Sequence, residues 1–221
     1  MNIHDIQKRI DYLKKYSSAE KCERIETISQ EKTDHVTIVL EKIFQPDNIS
    51  AVLRTSEGLG VNSVSIIENE HGYKNNRTVD KGSGQWLNLK KYQDTETCFK
   101  ELKEAGYTII ATSPHTKAFP LSKLPLDKKI ALVFGTETTG VSQYVMDNAD
   151  GYVTIPMYGF TESFNISVAA ALCLYDVTRR LQESDTLTWK MSEEEQKMLA
   201  LTWLRNSVSG APEIERRFFP E

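Results

Sequence analysis

The sequence has few cysteines and histidines, and none of them is grouped. The three cysteines lie far apart, at Cys22, Cys98 and Cys173, and no two of them form a CxxC pair. Neither a zinc ribbon nor a disulfide framework can be built from them. The four histidines are equally dispersed, with no pair at metal-ligand spacing on one helix. We therefore expect no metal site and a cytoplasmic protein in a reducing compartment.

The sequence also lacks long apolar runs and an excess of positive charge. No stretch approaches the roughly 18 apolar residues of a membrane span, and the mixed-charge N-terminus lacks the apolar core of a signal peptide. We expect a protein that is neither exported nor embedded in a membrane. The formal net charge of −4 argues against a protein that coats nucleic acid through its overall charge. Any RNA-binding site must therefore be local.

One local concentration of positive charge lies between His71 and Lys91. This stretch contains five basic residues against a single acidic one, Asp80, with Tyr73 and Trp86 among them. Basic residues interleaved with aromatic ones are typical of a phosphate-binding surface. A solvated lysine-rich loop explains the charge equally well. The candidates for RNA contact in this stretch are Lys74, Arg77 and Lys81.

Alternating and β-branched runs predict six strands in the middle of the chain. They lie at 35–43, 61–67, 87–92, 107–112, 129–135 and 151–157. Helical stretches at about 48–58, 95–105 and 142–148 separate some of them. This alternation predicts an α/β fold with a mostly parallel sheet and helices on both of its faces.

Helices are also predicted on either side of this region. Apolar residues at helical spacing predict a short helix at 3–16, followed by a polar stretch through Thr33. A longer apolar helix at 165–181 closes the α/β region, and an amphipathic helix at about 192–208 precedes a polar tail. We therefore divide the chain into a helical N-terminal extension at 1–33, an α/β domain at 34–182 and a C-terminal helical tail at 183–221.

The first of three segments that could carry chemistry follows the first predicted strand. Here the chain passes through a proline turn into a helix opened by Asp47 or Asn48 as a cap, with Arg54 further along it. A helix cap and a surface charge would explain these residues without any function.

The second segment is ALVFGTETTGVS at 131–142. A buried strand ends at Gly135, a loop carrying Glu137 follows, and Gly140 leads into a helix capped near Ser142. Ligands bind at the carboxyl ends of parallel strands, where such a loop would lie. A nucleoside triphosphate is disfavoured because no GK[ST] follows the glycine. An ordinary turn with a solvated glutamate is the alternative.

The third segment runs from the strand that ends at 155–157 into the helix at 165–181. Its loop supplies Glu162, Ser163 and Asn165, and alanines at 169–171 let the helix approach the sheet closely. Apolar backbone beside a polar loop suits an adenosine pocket. A core helix with a capping residue would explain the alanines but not the polar cluster. The single GxG, at 82–84, leads into a strand and lacks a third glycine, which argues against a dinucleotide fold.

Taken in order, the three segments resemble the three motifs of the SpoU/TrmH family, in the SPOUT superfamily of knotted RNA methyltransferases. Asn48 with Arg54 is similar to the first motif, FGTETTGVS to the second and IPMYGFTESFNISVAAAL to the third, within roughly residues 35–182. The resemblance implies S-adenosylmethionine as cofactor, 2′-O-methylation of RNA ribose and a C-terminal trefoil knot. It also implies a homodimer in which one subunit binds cofactor while its partner helps to hold RNA.

The resemblance assigns roles to particular residues. It implies that the catalytic residues are Asn48, Arg54, Glu137, Ser163 and Asn165. The cofactor-binding candidates at the strand ends and in the motif loops are Thr112, Ser113, Gly135, Glu137, Gly140, Ile155, Met157, Ser163, Phe164 and Asn165. Beyond the third motif, Arg179 and Arg180 are further candidates for contact with the RNA backbone.

Within the family, the chain is most similar to members that methylate the D-loop guanosine at position 18 of tRNA. The likeness rests on the short helical N-terminus, the IPM sequence at 155–157 and the helical tail. Tritiated transfer to separate RNA classes would distinguish this substrate from ribosomal RNA or the tRNA anticodon loop. A catalytically silent RNA-binding protein on the same fold is a further alternative, against which the joint presence of Asn48, Arg54 and Asn165 argues.

Overall fold

The computed structural model describes residues 1–68, 82–113 and 118–219, which form two compact units. The sheet unit comprises residues 34–189, and the terminal unit combines residues 1–33 with residues 190–221. The functional division predicted from the sequence, with separate N- and C-terminal extensions, stays a prediction.

The sheet unit contains seven strands in the described residues. They are β1 Val36–Glu41, β2 Ser63–Ile67, β3 Asn88–Tyr92, β4 Thr108–Thr112, β5 Phe119–Pro120, β6 Ile130–Phe134 and β7 Gly151–Thr154. Their order in the sheet is β3-β2-β1-β6-β4-β7-β5, and every neighbouring pair is parallel. The predicted parallel α/β sheet is confirmed. Strand β5 was not predicted, because two residues are too few to form a periodic pattern.

Eight α-helices lie in the described residues. They are α1 Ile3–Leu13, α2 Ala19–Glu31, α3 Pro46–Gly58, α4 Thr95–Glu104, α5 Gln143–Asn148, α6 Ile166–Gln182, α7 Glu193–Ser207 and α8 Ala211–Phe218. Single 3-10 turns occur at Lys14–Tyr16, Ser83–Trp86 and Leu121–Lys123. None of the helices in the described ranges is long and apolar enough to cross a membrane.

Two apolar layers cover the two faces of the sheet. Successive strand residues point to opposite faces, so Leu132 of β6 packs with α3 and α6, while Val133 packs with α4 and α5. Both residues are completely buried, as expected for a central strand of a parallel sheet covered by helices on both faces. The trefoil knot implied by the resemblance stays a prediction.

Helix α3 begins earlier than predicted. Asp47 and Asn48 were expected to cap it, but the helix starts at Pro46, and the capping position is held by Gln45, whose side chain makes no capping hydrogen bond. A proline suits the first position of a helix, because its missing N–H has no partner there and its φ is already helical. Asn48 therefore lies inside the first turn, and its side chain is available for another contact.

The terminal unit contains two helices that were not predicted, α2 and α8. The stretch before Thr33 and the tail after residue 208 were interpreted as polar segments, and this was wrong. Helix α2 buries only Cys22, Ile25 and Ser29, and α8 buries only Ala211 and Glu215. The apolar signal of α2 is weak, but α8 has Ala211, Ile214 and Phe218 at helical spacing, so this helix could have been predicted from the sequence. The other two helices of this unit, α1 and α7, were predicted.

Glu215 holds α8 in the terminal unit through two arginines. Arg205 donates to both oxygens of the Glu215 carboxylate, at 2.7 and 2.8 Å, and Arg9 donates to Oε1 at 3.1 Å. Burial opposes ionisation of the carboxyl group, but the hydrogen bonds from the arginines outweigh it and lower the pKa of Glu215 below its ordinary value. The helix is thus fixed mainly by charge-assisted hydrogen bonds.

We predict that Glu215→Gln destabilises the protein by about 2–3 kcal/mol near pH 7, since it removes charged hydrogen bonds. Because the folded-state pKa is lowered, this stabilisation is complete above the unfolded-state pKa and is lost as the pH falls through the folded-state pKa. Thermal unfolding measured from neutral to acidic pH should therefore show the Tm of the wild type approaching the Tm of Glu215→Gln. The control is Glu213→Gln, which removes an exposed ion pair with Arg216 and should leave Tm unchanged.

Candidate functional site

A cavity of about 540 Å³ lies where the carboxyl ends of β4, β6 and β7 meet. Its walls are the residues that follow these three strands and the first turns of α5 and α6. The parallel pairing explains the location, because the carboxyl ends of parallel strands lie at one edge of the sheet. Its volume is in the range of small-molecule sites, roughly 300–1,000 Å³.

Nine of the ten cofactor-binding candidates line this cavity. They are Thr112, Ser113, Gly135, Glu137, Gly140, Ile155, Met157, Ser163 and Phe164. The tenth, Asn165, is the residue between Phe164 and Ile166, both of which line the cavity. Gln143 and Met146 of α5 also line it and were not singled out in the sequence. They lie one turn apart on α5, and the sequence does not indicate that this face of the helix points to the cavity.

The loop after β6 closes on itself beside the cavity. Thr136 N–H donates to Gly140 O and Gly140 N–H donates to Thr136 O, both at 2.9 Å. A Cβ atom on Gly135 would lie 2.1 Å from the carbonyl carbon and oxygen of Gly140. Gly140 has a φ of +69°, a conformation that side-chain-bearing residues rarely adopt. Two glycines therefore allow a narrow backbone loop to form this wall.

Hydrogen bonds join one residue from each of the three motifs. Asn48 Nδ2 and Asn165 Nδ2 both donate to Glu137 Oε1 at 2.7 Å. Asn165 Nδ2 also lies 3.2 Å from Asn48 Oδ1, to which it donates. Glu137 is separated along the chain from Asn48 by 89 residues and from Asn165 by 28. Three of the five predicted catalytic residues therefore form one cluster at the cavity.

Asn165 contributes to the cluster and also caps α6. Its Oδ1 accepts from Ser167 N–H at 2.9 Å and from the Ser167 hydroxyl at 2.5 Å, while its amide nitrogen bonds the other motif residues. Asn165 therefore caps α6 and takes part in the hydrogen-bonded cluster at the same time, and its role in a functional site stays a prediction. Capping fixes the orientation of the amide group, since its oxygen is held by the helix. The same interaction presents the amide N–H groups to Glu137 and Asn48.

The other two predicted catalytic residues lie outside this hydrogen-bonded cluster. Ser163 is exposed and lines the cavity. Arg54 is exposed on α3, does not line the cavity and has no ion-pair partner within the described part of the chain. Its guanidinium group is therefore available to a ligand that approaches from solvent.

The predicted RNA contacts lie away from the cavity or outside the described residues. Lys74, Arg77 and Lys81 fall in the undescribed range 69–81. Arg179 pairs with Glu183 and Asp176, and Arg180 donates to the backbone oxygens of Leu121 and Leu124. The assignment of these residues to RNA binding stays a prediction.

The cavity is acidic. Its lining contains two carboxylates, on Glu137 and Glu162, and no lysine, arginine or histidine among the residues that the structure describes. Such a lining favours a ligand with a positive centre and disfavours a bound phosphate. No group of three or more His, Cys, Asp or Glu side chains that could hold a metal ion lies within 1–68, 82–113 and 118–219.

Two of the buried cysteines, Cys98 and Cys173, lie in surroundings that keep the thiol protonated. Burial raises the pKa of both the Cys98 and the Cys173 thiol to about 12, so neither is a thiolate near neutral pH. The polar groups at the cavity are instead amides, hydroxyls and carboxylates. The arrangement can position a ligand and polarise a reacting group, but it offers no activated thiol.

Comparison with known proteins agrees with this geometry. The sequence profile of the SpoU rRNA methylase family matches residues 35–175. The tRNA (guanosine(18)-2′-O)-methyltransferase of Borreliella burgdorferi is 43% identical over 211 residues, which cover 96% of each chain. The TrmH/SpoU tRNA-modifying enzyme of A. aeolicus has a TM-score of 0.78 and 27% identity, covering 86% of this chain and 97% of that one.

A more distant fold relative was crystallised with a ligand. The SpoU methyltransferase AviRb of Streptomyces viridochromogenes, in complex with AdoMet, has a TM-score of 0.63 and 19% identity. The match covers 69% of this chain and 63% of that one. At this identity, the likeness supports the fold alone.

We predict that Gly135→Ala destabilises the sheet unit by roughly 1–3 kcal/mol, the usual effect of overpacking. The added methyl group would overlap the backbone at Gly140, which cannot move without opening the loop. Urea unfolding would measure the change. The matched control is Gly58→Ala, where a Cβ atom meets nothing within 4 Å and stability should be unchanged or slightly higher. Equal stability of the two variants would contradict the close approach.

Proposed function

The chain belongs to the SpoU rRNA methylase family, and from this we propose that it methylates the ribose 2′-hydroxyl of guanosine 18 in the D-loop of tRNA. The main support is the 43% identity, over 96% of both chains, to a methyltransferase named for this reaction. The cluster of Asn48, Glu137 and Asn165 beside the cavity is the structural feature that suits it. An enzyme with this substrate works in the cytoplasm, where tRNA is processed.

The cavity has the chemistry that S-adenosylmethionine requires. Bound there, this cofactor supplies a methyl group on a positively charged sulfonium. Glu137 and Glu162 favour a cation, and the lining contains no basic side chain that would attract a phosphate within the described residues. Ile155 and Met157 offer apolar contacts at the end of β7, where an adenine ring could lie against the backbone.

Arg54 is the residue that we assign to activation of the hydroxyl group. The ribose oxygen forms a bond to the methyl carbon as the carbon–sulfur bond breaks, and its proton must leave. A guanidinium group does not deprotonate in proteins, so Arg54 cannot be the base. We assign it to stabilisation of the developing oxyanion, with an RNA phosphate accepting the proton. Its exposure allows contact with RNA outside the cavity.

The three-residue cluster fixes the groups around the reacting atoms. Glu137 accepts both amide hydrogen bonds and therefore holds Asn48 on α3 against Asn165 at the start of α6. Asn48 is on the same helix as Arg54, six residues before it, so the cluster also fixes the base of that helix. Ser163, exposed at the cavity, is placed to contact the incoming nucleotide. In this assignment the cluster orients groups and Arg54 supplies the charge.

An exposed apolar stripe on α6 supports assembly as a homodimer. Val168, Leu172 and Tyr175 lie on one face of this helix, and 45%, 39% and 61% of their respective surfaces are exposed. Contiguous exposed apolar side chains mark an interaction site. A second copy of the chain offers the same stripe, and a two-fold interface is self-complementary in this way. Asn165 caps the α6 helix, so the interface would lie close to the site.

We predict that Arg54→Ala lowers methyl transfer about 100-fold or more, the usual effect of losing a donor to a developing oxyanion. Cofactor affinity should be unchanged, because Arg54 does not line the cavity. The measurement is tritiated methyl transfer to an unmodified tRNA transcript, with the modified nucleotide mapped by ribose-methylation-sensitive sequencing. The control is Lys128→Ala, which removes an exposed charge just before the start of β6, whereas the cavity lies at the other end of this strand.

The outcome separates the possible functions. A methyl group on the D-loop guanosine, lost in Arg54→Ala and kept in Lys128→Ala, would support the proposal. Methyl transfer to ribosomal RNA alone, or to the anticodon loop alone, would contradict the proposed substrate but would support the proposed reaction. Cofactor binding without transfer to any RNA would favour a catalytically silent RNA-binding protein.

We further predict that Leu172→Glu converts the dimer to a monomer, because it places a charge in the apolar stripe of each subunit. Light scattering of the purified protein should give twice the mass of one chain for the wild type and one chain for the variant. Thr186→Glu, which adds the same charge in an exposed loop, should remain dimeric. A monomeric wild type would contradict the proposed assembly.

A further inference from the structure

Glu41 is a buried carboxylate with no cationic partner in the described part of the chain. It is the last residue of β1, and only 2% of its surface is exposed. Its Oε1 accepts from the Thr95 hydroxyl at 2.8 Å and from the Ser142 hydroxyl at 2.7 Å. Its Oε2 accepts from Ser142 N–H at 2.8 Å. Three hydrogen bonds from two other segments therefore stabilise a group that is costly to bury.

Ser142 links this carboxylate to the wall of the cavity. It caps α5, with its hydroxyl oxygen accepting from Val145 N–H at 3.3 Å. The residues on both sides of it, Gly140 and Val141 before and Gln143 after, line the cavity. Glu41 itself does not line the cavity. Glu41 therefore holds the end of the β6–α5 loop from outside the cavity, through hydrogen bonds to both the backbone and the side chain of Ser142.

We propose that Glu41 is a positioning residue for the cofactor, acting through Ser142. Near this end the β6–α5 loop is also held by Val141, which packs against the core, while its internal hydrogen bonds lie further back and join Thr136 to Gly140 and Thr139 to Thr136. The contact with Glu41 therefore supplies hydrogen bonds that the loop does not make within itself. Without an acceptor at Glu41, the loop would spend less time in the conformation that forms the cavity wall. Cofactor affinity falls in proportion to the fraction of molecules in the competent conformation. This inference rests on the proposed function, because it concerns the loop that would hold S-adenosylmethionine.

Two substitutions at Glu41 separate its hydrogen bonding from its charge. Glu41→Met keeps a similar length but leaves Ser142 N–H and the two hydroxyls without an acceptor. Glu41→Gln can keep all three contacts. Its amide oxygen can accept from Ser142 N–H, while the hydroxyls of Thr95 and Ser142 rotate to accept from its NH₂ group. If positioning depends on these hydrogen bonds, Glu41→Gln should bind S-adenosylmethionine with nearly wild-type affinity, whereas Glu41→Met should bind it more weakly.

Two further variants separate positioning from plain stability. Ser142→Ala removes the hydroxyl hydrogen bond between the cavity loop and Glu41 together with the cap of α5, whereas Thr95→Val removes the bond from the same carboxylate to α4 and keeps the shape of the side chain. Thr95 does not line the cavity. Both variants lose one hydroxyl bonded to Glu41 Oε1, but they differ in the segment released and in the cap of α5, which only Ser142→Ala removes. The contribution of the carboxylate itself is therefore measured by Glu41→Met against Glu41→Gln. Ser142→Ala is also the milder test if Glu41→Met does not fold.

The experiment is isothermal titration of the purified full chain with S-adenosylmethionine, well below the Tm of each variant. We expect Kd to rise roughly tenfold in Glu41→Met and by a smaller factor in Ser142→Ala, and to stay within about twofold of wild type in Glu41→Gln and Thr95→Val. In kinetics, KM for S-adenosylmethionine should rise while KM for tRNA does not. Thr95→Val should lower Tm without changing Kd.

Each result has one consequence for the inference. Equal Kd values for Ser142→Ala and wild type, or equal increases in Ser142→Ala and Thr95→Val, would overturn the positioning role. A wild-type protein that does not bind S-adenosylmethionine would instead overturn the proposed function, and this is measured first. If Glu41→Met does not fold, a larger Kd in Ser142→Ala than in Thr95→Val supports the role of the loop contact, and equal Kd values overturn it.

Discussion

Every neighbouring pair of strands in the sheet unit runs parallel, and the cavity exists because of that arrangement. Parallel pairing places the carboxyl ends of β1, β6, β4 and β7 side by side, although these strands are far apart in the sequence. Loops that follow such strands must meet at one edge. The amides and carboxylate of the site lie within hydrogen-bonding distance because the segments that carry them follow β1, β6 and β7, whose carboxyl ends lie at the same edge of the sheet.

Two kinds of contact keep those loops in place. Gly135 packs so closely against the backbone of Gly140 that a side chain has no room there, and Gly140 adopts a positive φ that favours glycine, so backbone sterics set the shape of the loop after β6. Directed hydrogen bonds then attach the loop at two points, to Asn48 and Asn165 through Glu137 and to Glu41 through Ser142. Buried polar networks of this kind rigidify a site when each donor has an acceptor. The acidic cavity and the exposed guanidinium of Arg54 thus lie on a firmly held framework.

The predictions that were wrong and the elements that were missed have separate physical causes. Helix α2 buries only two apolar residues, Cys22 and Ile25, so its apolar periodicity is weak, whereas the apolar spacing of Ala211, Ile214 and Phe218 in α8 was overlooked. Pro46 was interpreted as part of a turn, although the same residue is well suited to begin a helix. The role of Glu41 could not be predicted either, because its partners Thr95 and Ser142 are 54 and 101 residues away.

The sequence by itself determined six of the seven strands, the four α-helices of the sheet unit and the three segments that resemble the family motifs. Their signals are local, since periodicity and turn residues act over a few positions. Only the tertiary structure decided that Asn48, Glu137 and Asn165 share hydrogen bonds and that Gln143 and Met146 line the cavity. It also left Arg54 exposed and outside the cavity lining. The physical reason is that a hydrogen bond of 2.7 Å between residues 89 positions apart depends on strand order and register, which local patterns do not specify.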